Sequence, residues 1–131
     1  MAEAIYHVCS KAAWKQAERT GVYAGSDDDI RDGFLHFSTG DQVVESVEKH
    51  RAGQKGLVIV ACDPDALYPQ LRWEAARGGK LFPHFYGELK IEKALFVKDL
   101  PLGEDGRHLF PELEHAGDLP EGGSLEDDRD G

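Results

Sequence analysis

The apolar run GLVIVAC at residues 56–62 constrains the fold of this chain more than any other segment. The run contains β-branched residues and shows no alternation with polar ones, which is the pattern of a strand covered on both faces. We therefore expect it to be the central strand of a sheet. Asp63 and Pro64 come directly after it and predict a turn, or a single helical turn, through Leu67.

Shorter segments on both sides of this run predict further strands and helices. Ser10 and Thr39 are suited to cap two amphipathic helices, and Gly21 is suited to end the first. The acidic run at 27–29 is interpreted as a solvated loop. Because Pro83 cannot donate to a ladder, we expect the strand at 84–86 to be an edge or irregular strand. In chain order, the predicted elements are a strand at 4–8, a helix at 11–20, an extended piece at 22–26, a strand at 33–38, a helix from 39 to about 51, and strands at 56–62, 71–75, 84–86 and 91–97.

Three of the extended segments each carry two polar side chains that are two residues apart. Successive side chains of a strand alternate between its faces, so the members of such a pair project from the same face. Imidazoles, a hydroxyl, a guanidinium, a carboxylate and a phenol are poor core residues, and together they predict one polar pocket. The pairs are His36 with Ser38, Arg72 with Glu74, and His84 with Tyr86.

Each pair also has a purely structural explanation. His36 and Ser38 can hydrogen-bond beneath the following helix, since buried polar groups need partners. Arg72 and Glu74 can form partly exposed ion pairs that stabilise the fold weakly. The third pair can anchor a loop. The prediction of a site therefore depends on the convergence of all three pairs.

Charge divides the chain into two parts. The formal charge is -10, and residues 103–131 hold ten acidic side chains against two basic ones, which leaves residues 1–102 nearly neutral. We expect 1–102 to form a single globular domain. We expect 103–131 to form an acidic, mostly disordered tail, because its few apolar residues offset little ordering entropy. Within this tail, we expect the segment HLFPEL, at 108–113, to dock locally through its apolar side chains.

Composition and spacing also exclude several classes of partner. An acidic chain is repelled by nucleic acid and by anionic membranes, so neither is expected as a partner. No apolar run is long enough to cross a bilayer and no leader precedes the first strand, which indicates a cytoplasmic protein. Cys9 and Cys62 lie in apolar stretches typical of core thiols, although a disulfide stays open. No short Cys/His spacing predicts a metal site. The oligomeric state is not predicted by any pattern.

The order of motifs along residues 4–101 resembles a family of short bacterial proteins known as a domain of unknown function. These motifs are IYHVCS ahead of a Trp-bearing helix, DGFLHFST, GLVIVACDPDAL, LRWE and GGKLFPHFYG. The family is similar in fold to ADP-ribosyltransferases and RNA 2′-phosphotransferases. The resemblance implies an α+β fold with split antiparallel sheets and two flanking helices, and a cleft that holds a nucleotide such as NAD or ADP-ribose. The residues that match the family's motifs are His36, Ser38, Thr39, Arg72, Trp73, Glu74, Phe82, Pro83, His84 and Tyr86.

This resemblance implies catalytic candidates for the transfer or hydrolysis of ADP-ribose. Cleavage of the bond between nicotinamide and ribose passes through an oxocarbenium-like state that a carboxylate can stabilise, and Glu74 has that carboxylate. His36 can hydrogen-bond a ribose hydroxyl. His84 is the third catalytic candidate.

The remaining matched side chains are candidates for ligand binding. Ser38 can support the same sugar as His36. Arg72, or the amino end of the helix that follows Thr39, can hold a diphosphate. Trp73 or Tyr86 can stack on a planar ring. Thr39 also has a simpler role as a helix cap.

Other functions stay open at this point, and so does the question of whether the chain is an enzyme. The first alternative is a non-catalytic module that binds a small ligand or a protein. The second is an acid–base hydrolase that uses His84 and Glu74, with no nucleophile identified. The third is a zinc site formed by His36, His84 and Glu74, which come from distant segments without the spacing that fixes two ligands on one helix.

Overall fold

A four-stranded antiparallel sheet is built around the apolar run at 56–62. Its strands are β1 (Ile5–Ser10), β4 (Ser38–Thr39), β5 (Leu57–Cys62) and β9 (Ala94–Leu100), in the order β4-β1-β5-β9. All six residues of β5 are buried between β1 and β9, which confirms the predicted interior strand. The structure is a computed structural model, and it describes residues 3–76 and 78–113.

Two smaller antiparallel sheets complete the described fold. Strands β3 (Leu35–His36), β6 (Leu71–Ala75) and β7 (Leu81–Phe85) form a sheet in the order β3-β7-β6, and β2 (Val22–Tyr23) pairs with β8 (Leu89–Lys90). Single 3-10 turns lie at Pro64–Leu67 and Ile91–Lys93. The helices are α1 (Lys11–Thr20), α2 (Asp27–Asp32) and α3 (Gly40–His50). The described residues therefore form a mixed α+β fold with three α-helices, where the sequence predicted two.

The four-stranded sheet is apolar on both faces because each face meets a helix. Alternate residues of β5 belong to two separate core clusters: Val58 and Val60 to one, Ile59 to the other. Trp14 of α1 packs in the first cluster and Val43 of α3 in the second. Burial on both sides removes the polar alternation of a half-exposed strand, which is why the run reads as continuously apolar.

The helix ends follow the capping signals in the sequence. The Ser10 side chain accepts a hydrogen bond from the Ala13 N–H at 3.0 Å, and Gly21 ends α1 with a φ of 91°. Thr39 is the N-cap of α3, and its N–H donates to Gln42 Oε1 at 3.0 Å. These interactions satisfy backbone groups that have no partner within the helix.

The acidic run at 27–29 is a helix, and the predicted loop is wrong there. Ser26 caps α2, with its N–H and hydroxyl both donating to Asp29 Oδ2 at 2.7 and 2.8 Å. This is a capping box, in which the side chains of a serine and of an acidic residue three positions later each accept a hydrogen bond from the other's backbone N–H. Gly33 ends the helix with a φ of 88°. The Asp29 side chain is consequently buried rather than solvated.

The predicted strand at 33–38 is divided between two sheets. β3 pairs with β7, whereas β4 pairs with β1, so His36 and Ser38 lie in different sheets. Leu35 and Phe37, which alternate with His36 and Ser38 along the chain, are both buried in the core. Phe37 is the single residue at which the chain passes from one sheet to the other.

The segment at 84–86 is not an edge strand, because β7 lies between β3 and β6. In an antiparallel ladder, the N–H and C=O of one residue point toward the same neighbouring strand. The Pro83 carbonyl accepts from the Phe37 N–H at 3.0 Å, on the side where β3 has already ended. The missing N–H of Pro83 therefore costs no ladder bond to β6.

Residues after β9 fold back onto the body. Leu102 pairs with His108, and the Leu109 N–H donates to the Pro101 carbonyl at 2.7 Å. Phe110 and Leu113 pack against the second core cluster, which is the local docking expected of HLFPEL. The division at residue 102 stays a prediction, and residues 114–131 of the expected tail lie outside the described residues. Within the described part of the chain, no helix is both long and apolar enough to span a bilayer.

Candidate functional site

One face of the three-stranded sheet carries most of the predicted polar residues. Strand pairing places His36 opposite His84, and His84 opposite Arg72. Glu74 is two residues along β6 from Arg72, so it shares the same face. Tyr86 follows β7 and reaches Glu74. The structure thus brings together members of all three pairs, with the exception of Ser38, which approaches from β4.

His84 is held by the carboxylate of Glu74. Glu74 Oε1 lies 2.7 Å from His84 Nδ1, and it accepts a hydrogen bond from the Tyr86 hydroxyl at the same distance. The Tyr86 bond, followed by the His84 bond, lowers the pKa of Glu74. An ionised carboxylate only accepts, so His84 Nδ1 carries a proton, and in the neutral ring Nε2 is an acceptor.

Aromatic rings fix the orientation of this cluster. The ring of Phe34 stacks on His84 with centroids 4.0 Å apart, and it contacts His36 at 4.6 Å. The guanidinium of Arg72 lies 5.4 Å from the centre of the Tyr86 ring, in a cation–π contact. Arg72 and Tyr86 are therefore partners of each other in this structure.

His36 lies between two carboxylates of α2. Its Nδ1 is 2.6 Å from Asp29 Oδ1, and its Nε2 is 3.0 Å from Asp32 Oδ2. Both carboxylates can be satisfied only if both ring nitrogens donate, which makes His36 an imidazolium. The bond to Asp29 is the main reason that the pKa of His36 is raised.

Asp29 is the buried anchor of this arrangement. Burial would raise its pKa, but the hydrogen bond from His36 and further bonds from Ser26 hold the pKa well below its usual range. The backbone N–H of His36 also donates to Asp29 Oδ1, at 3.0 Å. Asp29 thereby fixes both the backbone and the ring of His36.

A second buried histidine lies behind His36. His7 Nδ1 donates to the His36 carbonyl at 2.7 Å, and the Tyr23 hydroxyl lies 2.8 Å from Nε2. In the neutral ring, Nε2 accepts from this hydroxyl. Burial is the main cause of the lowered pKa of His7, and it agrees with this neutral state.

A cavity of about 780 Å³ opens beside these side chains. It lies between the two larger sheets, since residues of β1 and β4 line one part and residues of β3 and β7 another. His36, His84 and Ser38 are among the lining residues. Helices α2 and α3 contribute charged side chains, and the basic residues of the lining are Arg31, Lys49, Arg51 and Lys80.

Several predicted site residues do not line this cavity. Glu74, Arg72 and Tyr86 contact His84 or one another on the same face of the sheet, but they are not among the lining residues. Trp73 points to the opposite face of β6, where its indole N–H donates to the Tyr68 hydroxyl at 2.6 Å. Thr39 is engaged as the cap of α3.

Sequence reasoning missed the acidic partners of His36. Asp29 belongs to the acidic run predicted to be a solvated loop, and no sequence pattern singles out Asp32 or His7. The Ser26-x-x-Asp29 spacing is the signal that could have revealed α2. In residues 3–76 and 78–113, no group of three His, Cys, Asp or Glu side chains is arranged to hold a metal ion.

Comparisons with known proteins identify the family. The model of a family described as "Protein of unknown function (DUF952)" matches residues 8–97. The crystal structure of protein CC0527 from Caulobacter crescentus is similar to this chain with a TM-score of 0.78 and 40% sequence identity, covering 81% of this chain and 93% of that one. A search of curated proteins found no match.

Two further structures of the Caulobacter crescentus protein agree with this result. The crystal structure of a double mutant has a TM-score of 0.77 at 39% identity, with coverage of 81% of this chain and 93% of that one. The solution NMR structure has a TM-score of 0.73 at 40% identity, with coverage of 79% and 90%. The domain-of-unknown-function resemblance inferred from the motifs is confirmed, and this chain belongs to the DUF952 family of proteins of unknown function.

Proposed function

We propose that the cavity between the two larger sheets binds a nucleotide, with NAD or ADP-ribose as the expected ligands. The observation that carries this proposal is a cavity of about 780 Å³ whose lining combines four histidines and four Lys or Arg side chains with five carboxylates. That volume lies within the range of about 300–1,000 Å³ typical of small-molecule sites.

The lining offers the groups that a nucleotide requires. Lys49 of α3 and Lys80, which precedes β7, can neutralise a phosphate or diphosphate. Ser38 and His84 Nε2 can hydrogen-bond ribose hydroxyls. The acidic side chain of Glu45 can accept from hydroxyl or amino groups of the ligand. The proposal therefore retains His36, Ser38 and His84 from the predicted site and adds the basic residues of the wall.

We also propose the ADP-ribosyltransferase-like relationship implied by the sequence motifs. Its support is the position of the cavity, which has a four-stranded sheet on one side and a three-stranded sheet on the other. Two antiparallel sheets around a ligand cleft are what that relationship implies. A similarity in fold supports an argument about the class of ligand, whereas the reaction depends on which side chains lie in the site.

A non-catalytic binding module is the second candidate. Both ring nitrogens of His36 are engaged by carboxylates, and Glu74 Oε1 already accepts two hydrogen bonds. Transfer or hydrolysis of ADP-ribose would need Glu74 to turn from His84 and Tyr86 toward the sugar. Release of nicotinamide from NAD, lost in a Glu74→Gln variant, distinguishes that reaction from binding alone.

A small molecule, rather than nucleic acid, is the proposed partner, and the cytoplasm is the proposed location. Cys9 and Cys62 are both free thiols buried in the core, which fits a reducing compartment. The excess of acid in the full sequence supports the exclusion of nucleic acid.

Isothermal titration with ADP-ribose and NAD tests the binding proposal. A variant with both Lys49→Gln and Lys80→Gln should bind at least about tenfold more weakly, because charge-assisted hydrogen bonds contribute more than about 1.4 kcal/mol. The matched control carries Lys15→Gln and Lys55→Gln, which make the same charge change outside the cavity. Equal losses in both variants, or no binding by the wild type at millimolar ligand, would refute the proposal.

A further inference from the structure

We infer that His84 and His36 form a general base and a general acid, and that their substrate is a nucleoside phosphodiester. The inference rests on the proposed function, because the cavity must first hold a nucleotide. It adds a reaction and assigns each imidazole a separate role in it.

The hydrogen bonds of His84 make it the base of the pair. Glu74 holds the proton on Nδ1, which leaves the lone pair on Nε2. Among the described residues, the ring of His84 makes no observed hydrogen bond other than the one to Glu74. A carboxylate that orients an imidazole in this way also stabilises the imidazolium formed when the ring takes up a proton. Glu74 is thus a positioning residue, and His84 is the group that faces the cavity.

The hydrogen bonds of His36 make it the acid. Asp29 and Asp32 both require a donor from the ring, so His36 carries two ring protons. Asp29 is buried and fixed by Ser26, whereas Asp32 is partly exposed at the rim of the cavity. A leaving oxygen can therefore displace Asp32 from Nε2 without disturbing the bond to Asp29.

The two rings are close enough to act on one substrate. His36 and His84 are direct partners across β3 and β7, and their ring centroids lie 5.8 Å apart. Phe34 contacts both rings and limits their rotation. Both residues line the same cavity.

The choice of a phosphodiester follows from the leaving group. Nicotinamide leaves NAD as a neutral molecule, and a phosphate leaves a diphosphate as a stabilised anion, so neither requires an acid. An alcohol that leaves a phosphodiester departs as an alkoxide, which is too basic to form at neutral pH without a proton. An imidazolium beside the reacting bond can donate that proton to the leaving oxygen, which matches the requirement of a phosphodiester.

The proposed step balances with water as the only co-reactant. His84 Nε2 takes a proton from water, the water oxygen bonds to phosphorus, and the bond from phosphorus to the ester oxygen breaks. His36 Nε2 gives its proton to that oxygen, so the products are a phosphomonoester and an alcohol. Exchange with solvent then returns a proton to His36 and removes one from His84.

Charged and titratable groups on each neighbouring element set the pH response of this pair. Asp29 and Asp32 of α2, together with His84 of β7, face His36. Glu74, Tyr86, Arg72 and His36 surround His84. Since His84 must be neutral and His36 protonated, the rate of hydrolysis should follow a bell-shaped dependence on pH.

Hydrolysis of 2′,3′-cyclic AMP in the presence of a chelator, followed by chromatography of the monophosphate, tests the inference. His84→Gln and His36→Gln should each lower kcat by roughly a hundredfold or more. The matched control is His108→Gln, because His108 bonds the Gln54 carbonyl and does not line the cavity. In His36→Gln, any residual rate should lose the alkaline limb of the pH profile, which a purely structural role would not alter.

Nitrogen NMR of the imidazole rings gives a test that does not depend on turnover. His36 should show two protonated nitrogens, and the neutral ring of His84 should carry its proton on Nδ1. The inference fails if the assignments are reversed, or if turnover survives His84→Gln. Binding of ADP-ribose without hydrolysis of the cyclic nucleotide would also overturn it while leaving the proposed function intact. Loss of nucleotide binding itself would overturn both.

Discussion

Asp29 Oδ1 lies 2.6 Å from Nδ1 of His36, and the same oxygen accepts from the His36 backbone at 3.0 Å. One buried carboxylate atom thus joins helix α2 to strand β3 and sets the position of a cavity-lining imidazole. Neither partner can be replaced without leaving a buried polar group unsatisfied.

We expect Asp29→Asn to destabilise the protein by about 2 kcal/mol, because it removes the charge of a buried carboxylate that accepts hydrogen bonds from His36 and Ser26. Asp28→Asn is the matched control, since the Asp28 side chain is 67% exposed and pairs with Arg31 on the surface. The control substitution should lower the free energy of unfolding by less than about 1 kcal/mol. Urea unfolding measures both, and similar losses in the two variants would contradict the role of Asp29.

The contribution of His36 to stability should depend on pH. Its pKa is raised above the ordinary value of 6.5, first by the bond to Asp29. A histidine whose pKa is higher in the folded state than in the unfolded state stabilises the fold fully at a pH below the unfolded-state pKa. That stabilisation is lost as the pH rises through the folded-state pKa. The urea midpoint of the wild type minus that of His36→Gln should therefore shrink between pH 6 and pH 9. His7, whose lowered pKa has the opposite sign, is present in both proteins and cancels. A difference that stays constant across this range would refute the imidazolium state.

The two thiols should be unreactive in the folded protein. Burial raises the pKa of Cys9 to about 11 and that of Cys62 to about 12, so neither forms much thiolate at pH 8. A thiol reagent such as Ellman's should label neither residue in buffer and both in concentrated urea. Rapid labelling of the native protein would show that one of these strands opens to solvent.

Trp73→Phe should leave nucleotide affinity unchanged. The indole lies on the face of β6 opposite His84 and bonds Tyr68, although the sequence motif suggested that it stacks on the ligand. The side chain is 38% exposed, so stability should also change by less than about 1 kcal/mol. Titration with ADP-ribose measures the affinity, and a tenfold loss would place Trp73 in the binding site after all.

The alternation of side chains along strands was the most reliable guide to this site. It predicted that Arg72 and Glu74 share one face of a strand, as they do in β6. It worked because the period of two is fixed by backbone geometry and does not depend on which strands pair.

Sequence patterns were less informative where neighbouring strands decide the outcome. Pro83 suggested an edge strand because proline has no N–H to donate. β3 ends at His36, before the position toward which an N–H at residue 83 would point, so the ladder loses no hydrogen bond there. The separation of Ser38 from His36 into different sheets is likewise a property of strand pairing. The acidic run around Asp29 was misjudged because composition was weighed above the capping pattern begun by Ser26.

The passage of the chain through Phe37 limits how far apart the two sheets can lie at this end of the cavity. Two residues of extended backbone span at most about 7 Å, so the Cα atoms of His36 and Ser38 stay within that distance in every state of the protein. The ring of Phe37 is buried, and its backbone N–H donates to the Pro83 carbonyl, so the backbone between the two sheets is held in place. The two sheets therefore cannot move apart at this end, so the cavity cannot widen here to accept a larger ligand.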